Sequence, residues 1–142
     1  PIEPGAGWHA LVCVALIRGH SGLGAAAADA LAADIGLDSR AIGALLADLF
    51  GAGLGGGSRL ADAMTTLATS RRGAQNAHLI LESCVAGIPT DFRDLGRLLE
   101  AWEVACAHAG ARVSDESVRV TLAATATGSS RRAASARRLL AL

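Results

Sequence analysis

The strongest constraint on the fold of this chain is its excess of alanine and leucine, which together supply about 37% of its 142 positions. Both residues are strong helix formers, and the β-branched and aromatic residues that favour strands are scarce. Hydrophobic residues make up 51% of the chain, which is too much for a disordered polypeptide. The sequence therefore predicts an all-α protein with an Ala/Leu-rich core.

Capping residues and glycines divide the chain into a compact bundle of about six to eight short helices. Asp38 is typical of the residue that precedes a helix, and Ser114 begins a second such pattern. Apolar residues from Phe92 to Cys106 recur at helical spacing and predict the most amphipathic helix. We expect that helix to begin at Thr90 and to end at Gly110.

The glycine-rich run 51–57 cannot hold regular structure cheaply, so it predicts a loop and a possible hinge. A basic C-terminal helix is expected over about 129–142. The chain length matches that of one domain, and we expect residues 1–142 to form a single helical domain. The glycine run lacks the preceding strand that a dinucleotide-binding fingerprint requires, and no cofactor is identified.

The cysteines favour a reducing compartment. Three cysteines (Cys13, Cys84 and Cys106) are an odd number for a disulfide framework, and their neighbours are apolar. No signal-peptide pattern is visible, and no run of 18 apolar residues could span a membrane. We therefore expect a cytoplasmic protein without a membrane span.

A helix-turn-helix pattern lies at about residues 22–46. A small residue at Ala32, a turn glycine at Gly36 and an apolar residue at Ile42 stand where such a motif needs them. The stretch resembles the spacing of TetR-type DNA-binding regions, and this resemblance implies a DNA-binding regulator. However, residues 1–50 contain two arginines and five acidic residues, and this charge would repel a duplex. Because of this unfavourable charge, nucleic-acid binding is the alternative hypothesis and not the preferred one.

Two histidines have a second metal-ligand side chain four residues further along a helix. His9 and Cys13 form one such pair, and His78 and Glu82 form the other. Residues four apart share a helix face, so a bundle could bring the two pairs together around one ion. These four residues are the candidate metal ligands, and handling of a metal or cofactor is the third hypothesis.

Charge is distributed unevenly along the chain although its total is zero. The net charge is about −4 up to residue 110 and about +4 after it. Four C-terminal arginines are the candidate partner-binding residues: Arg131, Arg132, Arg137 and Arg138. Opposite charges on one chain favour docking onto an acidic protein partner or onto a second copy.

No catalytic residue is assigned, because no segment assembles an acid, a base and an anion-binding site. Lysine is also absent, since all 13 basic residues are arginine, and this excludes lysine-dependent chemistry. The sequence therefore favours a non-catalytic accessory or interaction protein that acts through helix surfaces.

Overall fold

The structure, a computed structural model, describes residues 38–54 and 57–142. These residues form six α-helices and no strand, which confirms the all-α prediction. The helices are α1 (Ser39–Gly51), α2 (Gly57–Leu67), α3 (Arg71–Gly87), α4 (Leu95–Ala109), α5 (Glu116–Thr125) and α6 (Arg131–Leu140). The helices expected before residue 38 lie outside the described residues, and the single-domain assignment stays a prediction.

Helices α3 and α4 form the centre of the bundle. Helix α1 packs along α3, α2 and α6 pack on α4, and α5 lies against α6 with a smaller contact to α3. Of the described residues, Trp102 of α4 has the largest fully buried side chain, and the surrounding core consists mainly of alanine and leucine. Among the described helices, none has the length and apolar character needed to cross a membrane.

The predicted caps at Asp38 and Gly110 are confirmed. The Asp38 carboxylate accepts hydrogen bonds from the backbone N–H groups of Arg40 and Ala41, at 3.1 and 3.2 Å. Gly110 ends α4 in the left-handed conformation, with φ of 64°, which glycine adopts without steric cost. Ser130 caps α6, so the basic helix begins close to its predicted position.

The predicted start of α4 at Thr90 is wrong, because the helix begins at Leu95. Residues 90–94 instead form turns, and Arg132 of α6 donates hydrogen bonds to the carbonyl oxygens of Thr90 and Arg93, at 2.9 and 3.3 Å. The Asp94 carboxylate accepts a bond of 3.0 Å from the backbone N–H of Gly57. Tertiary hydrogen bonds therefore replace the first turn that the sequence predicts.

The glycine-rich loop is shorter than predicted. Gly51 is the last residue of α1, and Gly57 is the first residue of α2. Gly53 has φ of 77° in the turn between them, whereas residues 55–56 lie outside the described residues. Gly57 is buried, and a Cβ there would stand 3.0 Å from the Cβ of Asp94. Close packing against the turn before α4 accounts for this glycine.

We predict that Gly43→Ala destabilises the protein, because α1 meets α3 at this glycine. A Cβ at residue 43 would overlap the carbonyl oxygen of Ile80 and stand 2.7 Å from the Cβ of Ser83. Overpacking of this kind costs about 1–3 kcal/mol in the free energy of unfolding, measured by urea denaturation. The matched control is Gly51→Ala, where nothing lies within 4 Å of the added Cβ. Equal unfolding midpoints for the two variants would contradict the close α1–α3 contact.

Candidate functional site

The most buried charge in the described structure belongs to Glu82 of α3, whose side chain is 0% exposed. Arg40 of α1 donates a hydrogen bond of 3.1 Å to its Oε1 atom. Ser114 donates from its backbone N–H to Oε2 at 2.8 Å and from its hydroxyl to Oε1 at 2.9 Å. The backbone N–H of Asp115 completes the set at 3.3 Å. One carboxylate thus joins α1, α3 and the turn before α5.

These hydrogen bonds keep Glu82 ionised. Burial by itself raises the pKa of this carboxyl, but the hydrogen bonds from Ser114 and Arg40 hold it below its ordinary value of 4.5. The same contacts place the start of α5 one residue later than the sequence predicts. Asp115 caps the helix through the backbone N–H of Ser117, while the predicted cap residue Ser114 faces Glu82.

His78 lies one turn before Glu82 and is 4% exposed. Its Nδ1 atom accepts a hydrogen bond of 2.9 Å from the indole N–H of Trp102. A nitrogen that accepts a hydrogen bond carries no proton, so the neutral ring is protonated at Nε2. Burial lowers the pKa of His78 below its ordinary 6.5; the Glu82 carboxylate opposes this shift and the Arg40 guanidinium adds to it. The imidazole is therefore a neutral hydrogen-bond acceptor inside the core.

Cys106 completes the polar cluster around His78. Its sulfur lies 3.5 Å from the Nδ1 atom of His78. Burial, with the charges of Glu82 and Glu103, raises the pKa of this thiol to about 12. Because the thiolate is the reactive form of cysteine, this shift makes Cys106 a poor nucleophile and a poor metal ligand at neutral pH.

The structure places two of the four candidate metal ligands and brings them into this cluster. The Nδ1 atom of His78 and both carboxylate oxygens of Glu82 are engaged by groups of the same chain. Across residues 38–54 and 57–142, no three His, Cys, Asp or Glu side chains are arranged to hold a metal ion. His9 and Cys13 lie outside the described residues, so the four-residue metal site stays a prediction.

The four C-terminal arginines of α6 all contact their own chain. Arg131 and Arg138 form ion pairs with Glu100 and Glu103 of α4, the first at 2.9 Å. Arg132 bonds to the turn before α4, as described above, and Arg137 donates to the carbonyl oxygens of Ala126 and Gly128 at 2.7 and 2.8 Å. These side chains attach α6 to α4 and close the turn before α6, while the predicted binding of a partner stays untested.

Only the second half of the helix-turn-helix pattern falls within the described residues. Residues 22–37, which include the turn glycine Gly36, lie outside them. Arg40 is the basic residue of the described half, and its guanidinium is paired with Glu82. The positive charge of Arg40 is therefore paired with a carboxylate of the same chain.

Two other arginines have guanidinium groups without a partner in the described part of the chain. Arg71 and Arg72, in the first turn of α3, line a pocket of about 560 Å³ beside Ala109 at the end of α4. Gln75 and Asn76 complete the lining. Neither guanidinium group makes a hydrogen bond or an ion pair within the described part of the chain. The two adjacent arginines are visible in the sequence, but only the structure shows that their guanidinium groups have no partner in the described part of the chain.

Comparisons of the chain with protein-family models, with curated proteins and with solved structures find no match.

We predict that Glu82→Gln lowers the free energy of unfolding by about 2–4 kcal/mol at pH 7, because it leaves Arg40 beside a neutral group and disrupts a buried network. Since folding depresses the pKa of Glu82, its charge stabilises the native state above about pH 4.5, and this contribution is lost as the pH falls below that value. Urea denaturation from about pH 7 to about pH 3 should therefore show a shallower acid dependence in the variant.

Glu100→Gln is the control for this experiment. The side chain of Glu100 is 36% exposed and its partner Arg131 is 87% exposed, so we expect a loss below about 1 kcal/mol. Equal losses in the two variants would show that the Glu82 network contributes no more than a surface pair.

We also predict that the double variant Arg131→Gln/Arg138→Gln has a lower urea midpoint than the unchanged protein, because two α4–α6 ion pairs are lost. The difference should shrink at high salt, which screens exposed charges. Arg71→Gln/Arg72→Gln removes the same charge from unpaired side chains and should leave the midpoint unchanged. A midpoint insensitive to the α6 substitutions would contradict their role in attaching α6.

Proposed function

We propose that the protein is a non-catalytic helical interaction protein of the cytoplasm, which binds a protein partner or a second copy of itself through its helix surfaces. The observation that supports this proposal most directly is the placement of His78, Glu82 and Cys106. These acid–base and nucleophilic groups are buried and hydrogen-bonded to their own chain. A catalytic group needs access to substrate and a proton-transfer role, whereas these three groups serve the packing of the helices.

The thiols support the cytoplasmic part of the proposal. Cys84 and Cys106 are buried, and no disulfide joins them to each other. Buried reduced thiols are typical of proteins in a reducing compartment, where disulfides seldom persist. The small size of the core residues supports the interaction part, because an alanine-rich core buries little apolar area per residue and gains stability from association.

The test is native mass spectrometry of the full chain purified from its own cells at low salt. We expect a defined complex, with the mass of an integer number of copies or of one copy plus another protein. The same sample, treated with nuclease and with a chelator, should keep that mass.

Three results would contradict the proposal. The mass of a monomer over the whole concentration range would show that the proposed complex does not form. A mass that falls on nuclease treatment would replace it with nucleic-acid binding, and one that falls by the mass of a metal ion on chelation would favour metal handling.

A further inference from the structure

Among the residues that the structure describes, the pocket between the start of α3 and the end of α4 is lined by two cationic side chains and by no acidic one. Its lining consists of Arg71, Arg72, Gln75, Asn76 and Ala109. Its volume of about 560 Å³ lies within the range of ligand-binding sites. Two uncompensated guanidinium groups in one concavity produce a local positive potential that attracts an anion.

The guanidinium groups, and not the helix terminus, give this pocket its chemistry. In the first turn of α3, the backbone N–H of Gly73 is already bonded to the Ser70 hydroxyl, at 3.0 Å. Arg71 and Arg72 have no partner in the described part of the chain, whereas the four arginines of α6 are all engaged. The guanidinium N–H groups of Arg71 and Arg72 are therefore available to a ligand.

The lining favours carboxylates on a polypeptide over a nucleic acid. None of the described residues that line the pocket is aromatic, so they offer bases no surface on which to stack. Two cations also fall short of the several phosphate contacts that nucleic-acid binding needs. A planar guanidinium pairs with a carboxylate through two parallel hydrogen bonds, and the Gln75 amide can bond to a peptide backbone.

The protein itself contains an example of this recognition. Arg131 and Arg138 of α6 pair with Glu100 and Glu103, two carboxylates three residues apart on α4. Residues three apart lie on one face of a helix, so two arginines can contact both. A partner segment with two nearby acidic residues would offer one carboxylate to each of Arg71 and Arg72.

We propose that the Arg71–Arg72 pocket binds an acidic segment of a partner protein, with each guanidinium paired to a carboxylate. This inference rests on the proposed function and assigns to it a surface and the chemistry of the partner.

The experiment measures binding of a fluorescently labelled hexaglutamate peptide to the full chain by fluorescence anisotropy. We expect saturable binding that weakens as NaCl rises from about 0.05 M to about 0.5 M. Arg71→Gln/Arg72→Gln should weaken binding about tenfold, the effect of losing two exposed charge pairs of average strength. A hexaglutamine peptide should not bind.

The control variant is Arg59→Gln/Arg93→Gln, which removes the same charge elsewhere. Arg59 is in the first turn of α2, and Arg93 precedes the 15-residue helix α4, whose far end lines the pocket about 22 Å away. Neither guanidinium group has a partner in the described part of the chain. We expect this variant to bind hexaglutamate within about twofold of the unchanged protein.

Equal weakening in both double variants would overturn the pocket assignment, since it would show a response to net charge alone. Tighter binding of a thymidine hexanucleotide than of hexaglutamate, lost in Arg71→Gln/Arg72→Gln, would overturn the choice of a polypeptide ligand. Native mass spectrometry separates this proposal from the general one. A complex that survives Arg71→Gln/Arg72→Gln would refute the pocket as its interface but leave the interaction function standing.

Discussion

The hydrogen-bonded carboxylate of Glu82 is the interaction on which the arrangement of the helices depends. Removing a carboxylate from water costs several kcal/mol unless its oxygens are bonded elsewhere. Arg40, Ser114 and Asp115 supply those bonds, and they come from segments more than 30 residues away on either side. The stabilisation of one charge therefore fixes the start of α1 and the start of α5 relative to α3. Helix α5 needs this anchor, since only Val118 and Leu122 of its residues are buried.

Small residues permit the close packing that places Arg40 within reach of Glu82. Gly43 meets α3 near Ser83, and Ala47 meets it at Gly87, where a Cβ would stand 2.7 Å from that of Ala47. These contacts advance in the same direction along both helices, so α1 and α3 run roughly parallel. Such close approach compensates for the scarcity of large apolar anchors, of which Trp102 is the largest that is fully buried. The donation from its indole to His78 lets this side chain fill the core without leaving a buried polar group unpaired.

Local signals predicted the helices well, and tertiary contacts account for the errors. The cap at Asp38 and the glycine stop at Gly110 act within a few residues, so they are visible in the sequence. The start of α4 was predicted five residues too early, because its alternative hydrogen bonds come from Arg132, some 40 residues away. The role of Ser114 was missed for the same reason. No local pattern distinguishes a cap serine from one that faces a buried carboxylate.

The candidate site shows the same limit in its arginines. The split between an acidic body and a basic tail is a property of the linear chain, and folding pairs two arginines of the tail with Glu100 and Glu103 of the body. The sequence alone does not distinguish two neighbouring arginines that have carboxylate partners in the fold from two that have none. The Arg71–Arg72 pair differs because the described residues that line its pocket include no acidic side chain. In the proposal that Arg71 and Arg72 bind an acidic segment, the interaction surface lies where folding leaves charge uncompensated in the described part of the chain.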